Sequence, residues 1–379
     1  MKVILIGAGI AGLTTALALR REGIDVEIYE RVPEQREVGA GISLWANAIC
    51  VLDALGVGAA IRDRSVSYSR TAVRRFDGHL IVESPLEKIA APFASAMVVL
   101  HRAELLAILR APVEDAIRFN HECIEFDQEN DSVVARFRNG VKARGDVLAG
   151  ADGIHSIVRA KLHPGEAIRY SGYTAWRCVT KFDGAAMMAG ETWGPGRRFG
   201  ALPMRGGYAY WFATNNAPLG EKDPPGKTKQ NLLELFRGWH HPIPDLIAAS
   251  EGPAILRNDI VDRDPLPRWG AGRVTLLGDA AHPMTPNLGQ GGCQGIEDAL
   301  VLARMLATVR PVERALREYE ERRIARTTPI VRRSRQIGVI GQLEGRLARG
   351  VRDFVLASMP ASAALRELEA VVSYRADTE

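Results

Sequence analysis

The apolar and polar positions in the first thirty residues change period twice. Residues 2–6 form a short continuous apolar run, which is typical of a strand buried on both faces. A glycine-rich turn follows, and residues 13–23 then have helical spacing and end on a glycine that suits a helix C-terminus. Residues 24–30 return to the pattern of a strand. This order predicts a βαβ unit, in which the crossover makes the two strands parallel.

The remaining pattern divides the chain into two kinds of segment. Residues 70–82 and most of 168–262 alternate between apolar and polar positions, which favours antiparallel strands. Residues 146–151 and 272–280 instead look like the buried first strand, and helical spacing follows each of them. The rest of the chain is helical and basic. The sequence therefore predicts an α/β protein with an inserted, mostly antiparallel β-sheet and C-terminal helices.

Composition narrows the functional classes. The 379 residues are 46% hydrophobic and 25% charged, which is ordinary for a globular protein and long enough for two domains. The net charge of +4 weakly favours an anionic ligand and is too small to indicate nucleic-acid binding. The sequence contains no apolar run of about 18 residues, so we expect no membrane span. The four cysteines lack CxxC or zinc spacing, so we expect thiols in a reducing cytoplasm and no metal site.

The glycine-rich turn has the spacing of a dinucleotide fingerprint. Gly7, Gly9 and Gly12 form GxGxxG between the predicted strand and helix, and Glu30 ends the second strand. Glycines allow a tight turn and a close approach of the backbone to a pyrophosphate at the helix N-terminus. The carboxylate can accept hydrogen bonds from an adenosine ribose, and it argues against a 2′-phosphate. FAD or NAD is therefore favoured over NADP at this site.

Two further motifs distinguish FAD from NAD. Residues 145–153 (GDVLAGADG) form a strand that runs into a helix start, and residues 272–280 (GRVTLLGDA) form another that ends near Asp279. An aspartate at such a strand end can bond a polyol hydroxyl. The glycine-rich segment 286–292 (PNLGQGG) then begins a helix, whose amide N–H groups can face an electron-rich ring edge.

Together these motifs resemble those of the flavoprotein aromatic hydroxylases, the class A FAD-dependent monooxygenases that include para-hydroxybenzoate hydroxylase. The GxGxxG turn, Asp152-Gly153 and Gly278-Asp279 occur in the family order, and the resemblance covers nearly the whole chain. It implies that Asp279 bonds the ribityl chain of FAD, that Asp152 helps to bind FAD and the pyridine nucleotide, and that Arg102 contacts the cofactor. The predicted cofactor-binding residues are Gly7, Gly9, Ala11, Gly12, Glu30, Arg31, Gly41, Arg102, Asp152, Asp279, Pro286, Gly289, Gly291 and Gly292.

The resemblance also implies how the chain is divided. A Rossmann-like FAD-binding domain would be interrupted by the inserted sheet, and the segment from Val38 to Ile42 would lie beside the isoalloxazine. The predicted parts are an FAD-binding domain of residues 1–70, 98–166 and 265–325, a substrate-binding sheet of residues 71–97 and 167–264, and a C-terminal helical segment of residues 326–379.

The reaction that the resemblance implies is a monooxygenation. NAD(P)H reduces FAD, O2 adds at flavin C4a, and the hydroperoxide hydroxylates or epoxidises a small aromatic or heteroaromatic substrate. Neither a catalytic triad nor a metal is required. On the inserted sheet, the aromatic stretch 208–212 and Arg198 suit a planar anionic ring. Arg198 and Tyr210 are the predicted catalytic residues, with a place in the sheet core as the alternative for each.

The segment GYTAWR, residues 172–177, resembles the subgroup of urate hydroxylases, salicylate-type hydroxylases and zeaxanthin epoxidases. We call residues 286–292 the flavin loop. Urate hydroxylase carries an acid directly after the proline of this loop, where this chain has Asn287. An amide cannot take a proton as a carboxylate can, which argues against urate as the substrate. We interpret His155 and His282 as scaffold residues rather than catalytic bases, and Cys293 as a small buried thiol.

Two other functional classes share the same fold: a flavin reductase or dehydrogenase without oxygen insertion, and a non-catalytic flavin-fold binding protein. The intact Gly278-Asp279 motif and flavin loop argue against the second. The arginine-rich stretch 322–335 predicts a solvated helix face, with dimerisation or attraction of an anionic nicotinamide cofactor as the alternatives. We expect a monomer or a homodimer.

Overall fold

The predicted βαβ unit forms the centre of a parallel sheet. The structure is a computed structural model and describes residues 1–34, 40–87, 95–184, 187 and 189–376. The strands of the sheet, in spatial order, are β18 (Val274–Leu276), β12 (Val147–Gly150), β1 (Lys2–Ile6), β2 (Asp25–Tyr29) and β8 (Ile117–Arg118). Because β12 and β18 run parallel to β1, the turns that follow these three strands meet at one edge of the sheet.

The inserted segments form a second and larger sheet. Its strands, in spatial order, are β17 (Leu256–Asp262), β13 (Arg169–Lys181), β16 (Tyr208–Asn216), β15 (Arg197–Met204), β14 (Gly190–Gly194), β5 (Arg70–Arg75) and β6 (Leu80–Pro85). Neighbouring strands are antiparallel except for β14 and β5, which run parallel. The prediction of a mostly antiparallel inserted sheet is therefore confirmed.

Two short helices that the sequence analysis missed cover one face of this sheet: α6 (Thr228–Leu235) and α7 (Ile243–Ala249). The face beneath them is an aromatic and aliphatic core that includes Trp176, Phe199 and Trp211. Since side chains alternate along a strand, Arg198 and Tyr210 must project from the opposite face. That face is the one available for a ligand.

Smaller sheets and the remaining helices connect the two large sheets. One small sheet contains β3 (Gly41–Trp45), β7 (Met97–His101) and β4 (Val66–Ser67), and the other contains β11 (Lys142–Gly145), β10 (Ser132–Phe137) and β9 (Cys123–Glu129). The helices are α1 (Ile10–Arg21), α2 (Ala46–Ala54), α3 (Gly58–Arg64), α4 (Arg102–Arg110), α5 (Ile157–Leu162), α8 (Gly291–Thr308), α9 (Val312–Gly341), α10 (Arg346–Ser358) and α11 (Ala361–Val372). Among the helices of the described residues, none has the length and apolar character needed to cross a bilayer.

The prediction that the arginine-rich stretch of α9 is a solvated face is wrong at Arg323. This side chain is fully buried, with Nη1 2.5 Å from Glu297 Oε2 and Nε 2.6 Å from Asp298 Oδ1. Both acids lie on the buried side of α8. The sequence pattern shows only that a helix is basic; the packing of α9 on α8 decides which of its arginines leave the solvent.

Candidate active site

The GxGxxG turn is closed on its inner side and open on its outer side. Gly7 has a φ of +107°, and a Cβ atom there would lie 2.5 Å from the carbonyl oxygen of Ala151. A Cβ atom at Gly12 would collide with the carbonyl oxygen of Gly7. At Gly9 a Cβ atom would meet no atom of the described residues within 4 Å. Two glycines are thus needed for internal packing, while Gly9 leaves space for a ligand.

The ends of α1 and β2 border this open space. The first turn of α1 contains no acidic residue, and within the described residues no side chain caps it, so its positive end faces the opening. The Glu30 carboxylate accepts hydrogen bonds from the amides of Ala8, at 2.8 Å, and Val32, at 3.1 Å. Each of its two oxygens thus accepts one of these bonds, and further lone pairs remain on the carboxylate. Arg31, the next residue, is exposed.

Ala11 packs between the GxGxxG turn and the Gly278-Asp279 turn, which follows β18. Its methyl group would lie only 2.8 Å from a Cβ atom at Gly278 and 3.0 Å from one at Gly295. Gly278 also has a φ of +58°, so both its conformation and its contact require glycine. Ala11 therefore serves helix packing through its side chain, and it brings α1, α8 and the Gly278-Asp279 turn together.

Asp279 lies on the floor of the cleft that results. The carboxyl group is reached by solvent, and within the described residues it accepts no hydrogen bond. Enclosure by the surrounding chain raises its pKa, while the nearby charges of His282 and Arg102 act to lower it. A Cβ atom at Gly291, in the first turn of α8, would lie 3.8 Å from Asp279 Oδ1. An acceptor without a protein partner thus stands beside a helix N-terminus.

The loop before α8 is held against β3. Pro286–Leu288 forms a 3-10 turn, and Gly289 follows with a φ of +62°. A Cβ atom at Gly289 would lie 3.0 Å from Trp45 Nε1, and one at Gly292 would lie 3.3 Å from Ile42 Cδ1. Among the described residues, Trp45 Nε1 is buried without a hydrogen-bond partner. The predicted residues Gly289, Gly291 and Gly292 are thereby brought together with Gly41 and its strand.

The inserted sheet reaches the same place through Tyr210. A Cβ atom at Gly41 would collide with the Tyr210 ring, so the first residue of β3 and the middle of β16 are in direct contact. Burial raises the pKa of the Tyr210 hydroxyl, and the charge of Arg177 opposes this. The hydroxyl is therefore a neutral hydrogen-bonding group at neutral pH. Tyr210 and Phe212 have ring centroids 6.4 Å apart and form an aromatic wall.

Arg198, the other predicted catalytic residue, is enclosed. Its side chain is 1% exposed, and Nη2 donates to Asn287 Oδ1 at 2.5 Å. Nε donates to Gln342 Oε1 at 3.0 Å, and Nη1 lies 3.4 Å from Glu191 Oε2. The guanidinium thus contacts the flavin loop through Asn287 rather than presenting a bare charge to the cleft, because the packing of α9 closes over it.

Asn287 is the centre of this network. Its Nδ2 donates to the Ser334 carbonyl oxygen and to Thr285 Oγ1, both at 2.9 Å, and it lies 3.1 Å from the Tyr173 hydroxyl. With Oδ1 accepting from Arg198, every polar atom of the amide has a protein partner. Asn287 therefore fixes the loop and has no free group for proton transfer.

Arg177 on β13 is a charge that the predicted site residues omit. Burial lowers the pKa of the Arg102 guanidinium, and the nearby charge of Arg177 lowers it further; the same charge acts to lower the pKa of Tyr210. Arg177 Nη2 donates to Asn258 Oδ1 at 2.7 Å, while Nε is buried and, within the described residues, without a hydrogen-bond partner. Its place in the GYTAWR segment was the only sequence signal. Two cations, one from each large part of the fold, thus face the same cleft.

Comparison with known proteins gives the family. The sequence family described as FAD binding domain matches residues 1–334, which is most of the chain. This protein belongs to that family.

The relatives of this flavoprotein are FAD-dependent monooxygenases. It is 42% identical to the aurachin C monooxygenase/isomerase of Stigmatella aurantiaca over 362 residues, which cover 95% of this chain and 94% of that protein. It is 36% identical to the FAD-dependent urate hydroxylase of Klebsiella pneumoniae over 343 residues, or 89% of each chain. The crystal structure of Klebsiella pneumoniae HpxO with FAD and uric acid has a TM-score of 0.93 and 32% identity, covering 98% of this chain and 97% of that one.

These relatives confirm the predicted subgroup and class. The flavoprotein is an FAD-dependent monooxygenase, for which NAD(P)H is the usual reductant. The alternatives of a reductase without oxygen insertion and of a non-catalytic binding protein find no support among these relatives.

The Asp152-Gly153 motif of the flavoprotein supports the Gly278-Asp279 turn. Asp152 Oδ2 accepts from the amide of Ile157 at 2.8 Å and so begins α5; burial raises the pKa of this carboxyl. Arg159, on α5, is almost fully buried and donates to the carbonyl oxygens of Ala280, at 3.0 Å, and Ala281, at 2.8 Å. The geometry thus shows a structural connection between the two motifs, and a contact of Asp152 with FAD or the pyridine nucleotide stays a prediction.

A buried polar network beneath α8 supports the Gly278-Asp279 turn of this protein. Asp298 Oδ2 accepts from the Gly278 amide at 2.8 Å and lies 2.6 Å from His282 Nε2. Asp298 Oδ1 accepts from Arg323, and Glu297 accepts from Asn47 Nδ2 at 2.5 Å. His282 is therefore a buried partner of Asp298, as interpreted, and not a base in the cleft. Val38 and Gly39, predicted beside the isoalloxazine, lie outside the described residues.

Proposed function

We propose that this monooxygenase hydroxylates or epoxidises a heteroaromatic ring, bound as an anion, in the cleft between β3 and the inserted sheet. The observation that carries the proposal is the contact of Gly41 with Tyr210, where the strand beside the expected isoalloxazine position meets the aromatic wall. A planar ring at this contact would have an aromatic surface on one side and the flavin on the other. Bound FAD supplies the chemistry, which is acceptance of hydride from NAD(P)H and transfer of one oxygen atom from O2 to the ring.

The described residues fit FAD in the order of its parts. The pyrophosphate would occupy the open face of Gly9 at the N-terminus of α1, with Glu30 toward the ribose. The ribityl chain would donate to Asp279, whose carboxylate is reached by solvent. The pyrimidine edge would face the first turn of α8, at Gly291 and Gly292. In support, Gly9 opens onto empty space and Asp279 stands next to Gly291.

We also propose that FAD and the substrate are bound by the different segments of the chain that the sequence indicated. Residues 1–70, 98–166 and 265–325 would hold FAD, and the segments 71–97 and 167–264 would supply the substrate wall. The seven-stranded sheet is built from strands of these two inserted segments, which supports this division. Residues 326–379 would support this arrangement, because they include the second half of α9, which packs against Arg198 and Asn287.

The charges in the cleft favour an anionic substrate. Arg102 lies close enough to both Arg177 and Asp279 to interact with their charges, and burial raises the pKa of Asp279 although Arg102 acts to lower it. A substrate carboxylate, phenolate or comparable ring oxyanion would satisfy Arg177 Nε and relieve the repulsion between the two guanidinium groups. The Tyr210 hydroxyl would donate a hydrogen bond to the same ring.

The network at Asn287 argues against urate. In the urate hydroxylases an acid follows the proline of this loop, whereas here the amide is occupied by Arg198, Thr285 and Ser334. Without a proton acceptor at this position, the substrate must arrive already ionised or react without loss of a proton here. We therefore place the substrate with ring compounds of the aurachin C type rather than with urate.

The test is turnover by the FAD-loaded protein with aurachin C, salicylate and urate. NADH and NADPH oxidation, oxygen uptake and product mass would be measured together. We expect aurachin C or a related ring compound to accelerate oxidation of the reduced nicotinamide and to gain one oxygen atom, and urate to do neither. Oxygenation of urate by the unaltered protein would contradict the proposal.

The variant Asn287→Asp gives this test a matched control. It restores a carboxylate beside Arg198, so urate-stimulated NAD(P)H oxidation should appear in the variant and not in the parent protein. If the variant binds FAD normally and urate still does not stimulate NAD(P)H oxidation, the amide is not what excludes urate, and the argument from Asn287 fails.

A further inference from the structure

Helix α10 is amphipathic, and its apolar side faces the solvent. Leu347, Val351, Phe354 and Val355 follow one another at helical spacing on one face. Leu347 is 83% exposed and Phe354 is 72% exposed. Surface helices of globular proteins normally bury this side, so the orientation needs a reason.

The opposite face of α10 holds the helix to the protein by polar contacts. Arg352 is buried, with its guanidinium carbon 5.1 Å from the centre of the Trp193 ring on β14 and an ion pair of 2.8 Å to Asp353. Its Nη1 also donates to the carbonyl oxygen of Ile340 at 3.4 Å. The outward direction of the apolar row is therefore fixed by specific contacts, and the row lies beside the substrate-side sheet.

Two further exposed apolar residues lie at the end of α9. Val339 is 65% exposed and Ile340 is 38% exposed, and only a short connection separates them from α10. We call the six residues the α10 apolar face: Val339, Ile340, Leu347, Val351, Phe354 and Val355. A cluster of exposed apolar side chains, such as the row on α10, marks an interaction of a globular protein with a protein or a membrane.

The charges around the α10 apolar face are cationic. Arg346 borders Leu347, and Arg332 is exposed on the same outward side of α9, two turns before Val339. Of the nearby acids, Asp353 pairs with Arg352, while Glu344 accepts from Asn216 Nδ2 at 2.7 Å and keeps its charge, so the two arginines outnumber the one uncompensated carboxylate. A two-fold contact through this face would bring the arginines of both copies into one interface, whereas an anionic surface would attract them.

We propose that the α10 apolar face docks onto an anionic lipid bilayer surface. Protruding Leu, Val and Phe side chains suit insertion at the level of the headgroups, and bordering arginines suit anionic lipids. Leu347, Val351 and Phe354 line only a shallow depression around Gly350, which is wide open to the solvent. Docking places the inserted sheet next to the membrane. This inference does not depend on the identity of the substrate.

The experiment is flotation of the full-length, FAD-loaded protein with vesicles. Vesicles of phosphatidylcholine with phosphatidylserine are compared with phosphatidylcholine alone. We expect cofractionation with the anionic vesicles, weaker binding to the neutral ones, and weakening by added salt. In the double variant Leu347→Ser and Phe354→Ser, the bound fraction should fall by about tenfold or more, because two large apolar side chains no longer insert.

Leu219→Ser is the matched control, since Leu219 is 66% exposed but does not belong to the α10 apolar face. It should bind vesicles as the parent protein does. FAD content and melting temperature verify folding, and Val351→Ser provides an independent variant. Absence of flotation of the parent protein, or equal flotation of the double variant, would overturn the proposal. So would a dimer in sedimentation velocity that the double variant dissociates without any change in vesicle binding, since the occupant would then be a second copy.

Discussion

At the scale of single residues, three buried or cleft carboxylates differ in what they bind. Glu30 accepts from two backbone amides, and Asp298 accepts from an amide, a histidine and an arginine. Asp279 is reached by solvent and, among the described residues, has no donor. A residue whose hydrogen-bonding capacity is met inside the protein holds the fold, while one left with capacity at a cleft is available for a ligand.

The first prediction concerns Asp279. Asp279→Ala should weaken FAD binding by about 1–3 kcal/mol, because one hydrogen bond to a ribityl hydroxyl is lost. The dissociation constant is measured by quenching of flavin fluorescence on titration with the apoprotein. Asp131→Ala removes a carboxylate that is 94% exposed, far from the cleft in the β9–β10 turn, and should leave the constant unchanged. Equal FAD affinity in all three proteins would refute the proposed ribityl position.

The second prediction concerns Arg177. Arg177→Gln should raise the KM for an anionic substrate by about tenfold, as expected when one charge-assisted hydrogen bond is removed. The KM of a neutral analogue of the same ring should change much less. Arg177→Lys keeps the charge and should restore part of the loss. A similar rise for charged and neutral substrates would show that Arg177 acts on the shape of the site and not on its charge.

At the scale of elements, the site depends on how closely α1 and α8 approach. Ala11 fits between Gly278 and Gly295, and no other side chain larger than hydrogen could occupy those two positions without displacing a helix. The N-termini of both helices then lie near one cleft and present their positive ends to one cofactor. Neither helix could do this alone.

The third prediction tests that contact. Gly295→Val should destabilise the protein by about 1–3 kcal/mol and weaken FAD binding, because the added atoms force α8 away from Ala11. Gly350→Val makes the same change of residue within helix α10, where a Cβ atom meets nothing within 4 Å among the described residues. The free energy of unfolding in urea and the FAD dissociation constant are compared. If the two variants behave alike, the α1–α8 contact does not set the geometry of the site.

At the scale of the whole molecule, one buried ion network connects α9 and α8 to the turn that follows β18. Arg323 from α9 pairs with Glu297 and Asp298 from α8, and Asp298 reaches the Gly278 amide at the end of β18. Burial acts to raise the pKa of Asp298, but the charges of His282 and Arg323 outweigh it and lower the value from 3.8 to about 2. The charged form of Asp298 is therefore part of the folded state.

The fourth prediction follows from the sign of this shift. Because the folded pKa lies below the ordinary value, the stabilisation is complete above about pH 4 and is lost as the pH falls toward 2. We expect Asp298 to contribute about 2 kcal/mol at neutral pH. Urea unfolding across this pH range should show that loss in the parent protein and a flatter profile in Asp298→Asn. Parallel profiles would mean that other carboxylates dominate the acid response.

The sequence by itself determined the local parts of this protein. Each of the three motif strands is a short apolar run followed by a glycine-containing turn, and such patterns depend on neighbours in the chain, so the βαβ unit, the order of the motifs and the antiparallel character of the insert were predictable. The family resemblance added the cofactor. Short helices such as α6 were missed, because weak local patterns acquire their structure from the sheet that they cover.

Only the tertiary structure decided which polar side chains are buried and paired within the protein and which face the cleft. The sequence around Arg177, Arg198 and Arg323 does not show their surroundings, yet one faces the cleft, one holds the loop 286–292 through Asn287, and one neutralises two buried acids. The outward direction of the α10 apolar face is likewise invisible in its helical pattern. Burial and pairing depend on which distant elements pack together, and that information is distributed over the whole chain.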